Sequence, residues 1–233
     1  MSEPELKWPS DDKLMLWEVE PEWPETTYVV IGGGPSLTPG QVDQCQRDHV
    51  RVIAVNDAYK LAPWADVLHG ADARWWKRNK GILEFGGIRS ALCWDAVEGI
   101  FYPGWDVGLY RGMRALASTG VTGLEMWHHR AVRNGGNSGY QAINLAAHLG
   151  ASRIILLGFD LKPATDGRHH WFGDHADWSP PNYIAMHMGF FFLPQAAKDA
   201  GVEIVNCTPG SDLANIFPEM PLEMALGEAR HRI

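Results

Sequence analysis

Cysteine is scarce in this chain. Cys45, Cys93 and Cys207 are the only three. They are odd in number and far apart, so they form neither a disulfide framework nor a zinc pattern. That usage suits a reducing compartment, and a cytoplasmic location is the expectation. Long apolar runs are missing too. No stretch approaches the roughly 18 residues that cross a bilayer, so no membrane span is expected. The opening MSEPELKWPSDDK has no apolar stretch of the kind a signal peptide needs. Positive charge is in deficit, with 20 Lys and Arg against 28 Asp and Glu and a net charge of −8. Non-specific binding to nucleic acid depends on a basic surface that releases counterions, so it is not expected.

Two phosphate-binding signatures are incomplete. Gly32-Gly33-Gly34-Pro35-Ser36 follows an apolar run, but Leu37 stands where the dinucleotide fingerprint needs its third glycine. The Lys-Ser/Thr pair of a P-loop is absent as well.

The apolar residues that are present fall into short runs. Tyr28–Ile31, Val52–Val55, Val67–His69, Ile154–Leu157 and Val202–Val205 read as buried parallel strands, each ended by small or polar residues. Ala91–Cys93 and Ile100–Tyr102 read as further short strands. Thr38, Pro39 and Gln41 have the spacing of a capping box with proline in the first turn, so a helix should start there. Ser138 reads as the cap of a second helix that ends at Gly150. Residues 182 to 200 read as a third, with Pro194 starting, kinking or breaking it. The expected fold is a single Rossmann-like α/β domain with a mainly parallel sheet covered by helices on both faces. Residues 1–26 read as an N-terminal extension lying on a catalytic domain of residues 27–233.

Ligands of open α/β sheets bind beyond the carboxyl ends of the strands. The segments expected to meet there are the glycine loop, Asn56-Asp57, Asp72, Gly158–Asp160 and Asn206–Ser211. Glycines let backbone amides approach an anion closely, so Gly32, Gly33 and Gly34 are candidates for phosphate. Ser138 and Gly139 open a helix whose first N–H groups attract anions, with Arg133 just before them. The loop that follows carries Asp160, Lys162, Asp166, Arg168, His169, His170, Asp174 and His175. Its histidines suit general base work, a divalent metal or a plain solvated rim. The spacing matches no standard metal motif. The stretch Arg74–Lys80 interleaves cations with Trp75 and Trp76. It reads either as a site for phosphate, base or sugar or as a solvated helix face with the tryptophans turned inward.

Five runs carry a family resemblance: YVVIGGGPSL, VIAVND, NSGYQAINLAAHLGASRIILLGFDL, HHWFGDH and VEIVNCTPGSDLANIFPEMPLEMAL. Their order and spacing resemble the bacterial sialyltransferases of glycosyltransferase family 42. They also resemble a related domain-of-unknown-function group that includes the archaeal pterin pyrophosphokinases. The likeness covers about residues 28–72 and 133–226. It fades over 73–132, where the family carries variable, acceptor-facing structure. The resemblance implies a GT-A-like variant of the fold and an inverting glycosyltransferase with a nucleotide-sugar donor as co-substrate, a hydroxyl acceptor (a modified nucleic-acid base staying open) and no required cofactor or metal. It implies His170 as the general base and Arg133 as the active-site arginine, with two residues inserted before the Ser-Gly pair. Ser138 and Gly139 would touch the nucleotide. Asn56 matches a donor-site asparagine, while Gly33 replaces one and Asp72 lies near another. Lys162 replaces a tyrosine that holds the leaving phosphate. On these grounds Trp75, Trp76 and Trp171 become candidates to stack on sugar or base. The rival readings are an ATP- and magnesium-dependent pyrophosphokinase with Asp72 and Asp160 as ligands, and a nucleotide-binding protein without catalysis. A homo-oligomer is compatible with the sequence.

Overall fold

The computed structural model describes residues 5–105, 112–173 and 181–227. Its strands, in chain order, are β1 (Thr26–Ile31), β2 (Val50–Val55), β3 (Val67–Gly70), β4 (Ile88–Asp95), β5 (Ile100–Phe101), β6 (Arg114–Ser118), β7 (Ala131–Val132), β8 (Ala151–Leu157) and β9 (Glu203–Asn206). They form one sheet in the order β7-β6-β4-β3-β2-β1-β8-β9. Every pairing along this path is parallel, and β5 pairs antiparallel on β4. This is a Rossmann-like α/β fold. β1 lies at the centre, with Val30 opposite Ile53 on one side and Leu156 on the other.

Alternation along the strands divides the apolar residues between two cores. Val29 and Ile31 join Val52, Ala54 and Leu68 on one face. Tyr28 and Val30 join Ile53, Val55 and Val67 on the other. The helices are α1 (Pro39–Gln44), α2 (Ala73–Arg78), α3 (Ser138–His148), α4 (Tyr183–Phe191), α5 (Leu193–Asp199) and α6 (Leu222–Leu226). Val42 of α1, Trp75 and Trp76 of α2, and Leu222 of α6 cover the first face. Tyr140, Ile143 and Ala146 of α3 cover the second. Each large side chain buried in this way contributes about 1.5–3 kcal/mol.

Thr38 and Gln41 form the expected capping box, and Pro39 sits in the first turn of α1. The third expected helix is two helices, with Pro194 in the first turn of α5. The cap of α3 is a correction: Asn137 accepts the Tyr140 N–H at 2.8 Å, and Ser138 is already helical. β6 and β7 were not foreseen. β6 is RALAS, short and alanine-rich, and β7 has two residues. The segment before β1 packs beside them. Leu14 and Val19 are buried, Trp17 N–H donates to Ala115 at 2.8 Å, and Val19 N–H donates to His129 at 3.1 Å. No helix among the described residues is long and apolar enough to cross a membrane.

Candidate active site

The strand order reverses between β1 and β8, because β2 leads away on one side and β8 and β9 on the other. At such a switch point the loops leaving neighbouring strands diverge and open a crevice. A cleft with about 810 Å³ of empty space, its open mouth included, lies there. Gly32–Pro35 after β1, Asn56 and Asp57 after β2, and Gly158–Lys162 after β8 form its floor. Asn137, Ser138 and Gly139 bring the start of α3 to it, and His169, His170 and Phe172 form one wall. Tyr183 and Met186 of α4 form another.

The glycine loop works differently from the expectation. Gly32 N–H donates to Leu157 at 2.7 Å and Gly34 N–H to Gly158 at 2.9 Å. Ser36 N–H donates to Asp160 Oδ1 at 3.0 Å, and Pro35 has no N–H. The expected cradle of successive amides is therefore corrected, because these donors fasten β1 to the loop after β8. The glycines serve close approach instead. A Cβ on Gly32 would stand 2.6 Å from the Gly158 oxygen, and one on Gly34 would overlap Asp160 Oδ2. Only Gly33 faces room, with His170 Nδ1 3.4 Å from where its Cβ would be.

His170 is held over this loop. Trp171 N–H donates to the Gly33 oxygen at 3.2 Å, and the His170 ring lies parallel to Phe172 at 5.1 Å. Its neighbour His169 pairs through Nδ1 with the Tyr183 hydroxyl at 2.9 Å and stacks on that ring. Asp174 and His175 lie outside the described residues. Asp166 and Arg168 pair with each other at 2.7 Å on the exposed part of the loop.

Asn56 has a left-handed backbone, φ 49°, which a residue other than glycine adopts at a cost of about 1–3 kcal/mol. Its buried Oδ1 has no partner among the described residues, a feature that clusters at functional sites. Asp160 is 6% exposed. Burial pushes its carboxyl above the usual range, against the Ser36 hydrogen bonds and the charge of Lys162. Lys162 pairs with Asp212 at 2.9 Å at the rim. Ser138 Oγ accepts the Ala71 N–H at 3.1 Å, which leaves its own proton for a ligand. The segment after β9 sits behind the site. Thr208 Oγ1 accepts the Phe159 N–H at 2.9 Å, Ser211 Oγ donates to the Phe159 oxygen at 2.6 Å, and Asp212 N–H donates to the Asp160 oxygen at 3.0 Å.

Three expected site residues are not among those lining the cleft: Ser36, whose N–H is taken by Asp160 Oδ1, and Asp72 and Arg133. Asp72 caps α2 through the Arg74 N–H and pairs with the Arg74 guanidinium at 3.1 Å. Arg133 donates to the Thr119 oxygen at 2.9 Å and pairs with buried Glu125 at 3.2 Å. Burial works to raise the Glu125 carboxyl. Hydrogen bonds from Thr119, Trp127 and His128 and the charge of Arg133 together hold it below its usual range. Of the two readings for Trp75 and Trp76, the one with the tryptophans turned inward holds, and they are not placed to stack on a ligand in the cleft. Both are buried, Trp75 donating to Asp57 at 2.8 Å and Trp76 to the Gly70 oxygen at 3.0 Å. Trp171 packs against the core, and Phe172 beside it takes the place at the cleft. Tyr183 was missed, for Pro181-Asn182-Tyr183 carries no sequence signal beyond a helix start.

No family model matches this chain, and no curated protein matches it in sequence. The resemblance to the pterin pyrophosphokinase group gains nothing from these comparisons. Among solved structures, the monofunctional alpha-2,3-sialyltransferase of Campylobacter jejuni superposes with a TM-score of 0.51. The match covers 85% of this chain and 81% of that one, at 12% identity. At that identity the likeness is one of architecture, and the chain has the fold of this sialyltransferase.

Proposed function

We propose that this chain is a glycosyltransferase that moves a sugar from a nucleotide-activated donor to a hydroxyl acceptor, with inversion. One observation carries the reading: His170, the N-terminus of α3 and Lys162 meet in one cleft at the switch point of a sialyltransferase fold. The donor phosphate belongs at the Ser138-Gly139 end. There the first N–H groups of α3, the Ser138 hydroxyl and the Lys162 ammonium offer positive charge. The glycine loop, with the Gly32, Gly34 and Ser36 amides engaged and Asp160 behind it, suits the uncharged part of the nucleotide over Gly33.

His170 takes the acceptor proton as the new C–O bond forms. The bond from the sugar to the leaving phosphate breaks, and its electron pair goes with the nucleotide. Charge grows on the phosphate in the transition state, so donors aimed there accelerate the step. The reaction in this reading needs no metal. The pyrophosphokinase rival takes Asp72 and Asp160 as joint magnesium ligands, and Asp72 caps a helix outside the cleft.

The test measures transfer rate and donor affinity for the parent and His170→Ala across pH. Turnover should fall by about 10²–10⁴-fold while donor affinity stays near that of the parent. The parent rate should fall on the acid side through one ionisation that the variant lacks. Near-parental turnover in the variant removes His170 from the mechanism. A loss of donor affinity equal to the loss of rate makes it a phosphate ligand instead.

A further inference from the structure

α4 is apolar on two faces. Tyr183 and Met186 line the cleft, and Phe190, four residues on, is fully buried. The outer stripe is Ile184, Met188 and Phe191, spaced i, i+4 and i+7, and these are 78%, 64% and 71% exposed. A helix that is apolar all round is normally a buried one, and a contiguous exposed patch marks a contact site. This stripe borders a second groove, between α4 and the 3₁₀ turn Asp212–Asn215, with about 940 Å³ of empty space open to solvent. Met188, Phe191 and Ile216 give it apolar walls, and His187, Asp212 and Asn215 give it polar ones.

The groove adjoins the cleft. Lys162, a cleft residue, bonds Asp212 Oδ1 at 2.9 Å, and Asp212 Oδ2 lies 3.9 Å from His187 Nε2. A ligand that begins in the cleft can therefore continue across this row onto α4. We infer that the groove docks the acceptor, and that the acceptor is an amphiphile. Its hydroxylated head reaches toward His170, and its alkyl or aryl tail lies along Met188 and Phe191. The inference rests on the transfer reading above. A second copy of the chain fits less well, since a stable dimer takes about 20–30 residues a side and the apolar surface here is one helix stripe.

The experiment uses hexyl, octyl and decyl glucosides, each below its micelle concentration, as probes. Equilibrium dialysis gives their affinity for the parent and for a Met188→Gln/Phe191→Gln double variant. Both substituted side chains are exposed, so the fold should stand, and a thermal melt checks it. Affinity in the parent should rise about two- to fourfold per added methylene, and the variant should lose that dependence. A parent without chain-length dependence, or a variant that keeps it, overturns the proposal. So does sedimentation that shows a dimer in the parent and a monomer in the variant, with no glucoside bound to either. Nucleotide-induced stabilisation is measured alongside. Its absence with the chain-length dependence intact sinks the transfer reading while the groove stands as an amphiphile site.

Discussion

At the scale of single residues, Gly32 and Gly34 are fixed by the close approach of Gly158 and Asp160, while Gly33 faces room in the cleft. That Gly32-Gly33-Gly34 sits at the functional edge was legible, because three glycines in a row after an apolar strand exceed what a turn needs. Their separate duties were not. Two are set by atoms contributed from the loop after β8, more than 120 residues along the chain, which no local pattern encodes. The distinction is testable. Gly34→Ala should cost about 1–3 kcal/mol of stability, since its methyl meets Asp160 Oδ2 and the Gly158 oxygen and must displace them. Gly33→Ala should fold normally, because its methyl meets nothing nearer than His170 Nδ1 at 3.4 Å. Urea denaturation of the two variants decides it, and equal losses would contradict the assignment. That the His170 loop reaches the cleft was legible from its position after a strand end, and the parallel stack on Phe172 adds what holds the ring. Asp72 and Arg133 show the converse. A charged residue placed by family spacing still takes its role from its nearest partner, and here those partners are Arg74 and Glu125.

At the scale of elements, strands with β-branched runs were legible and those without were not. β1, β2 and β8 announce themselves because burial on both faces demands continuous apolar residues. β6 lies between β4 and β7, and β7 pairs on β6 at the sheet edge, so strand pairing places both and they need little propensity of their own. The joins between elements were invisible in the sequence, and His69 is the clearest case. It lies on β3, fully buried, with Nδ1 2.9 Å from Ser90 Oγ on β4 and Nε2 3.0 Å from Gln141 Oε1 on α3. Burial lowers its pKa to about 4, against the Gln141 bond that favours the charged form. In the unfolded chain the ring regains its ordinary value near 6.5. Between these values the unfolded state binds more protons, so stability is full above about 6.5 and declines as pH falls toward 4. An NMR titration of the His69 ring should show no protonation above about pH 5. A midpoint near 6.5 would contradict the buried three-way joint.

At the scale of the whole molecule, the topology makes the site. β1 is central, and the chain runs outward from it through β2 and then crosses back to β8. One crossing brings residues near 33, 56, 138 and 160–170 to one cleft. The sequence disclosed this convergence because each strand end carried small or polar residues. It did not disclose that the segment after β9 would support the cleft floor from behind, since the composition of a supporting loop and a binding loop is alike. In the proposed function this cleft binds a nucleotide with no metal, and Gly33 gives the nucleotide its room. Calorimetry of a panel of nucleotides and nucleotide sugars, in EDTA and again in magnesium, tests it in the parent and in Gly33→Val. The prediction is one-to-one binding to the parent in both buffers, and a folded Gly33→Val whose affinity falls at least tenfold. Binding that requires magnesium, or a Gly33→Val variant that binds as tightly as the parent, would contradict it.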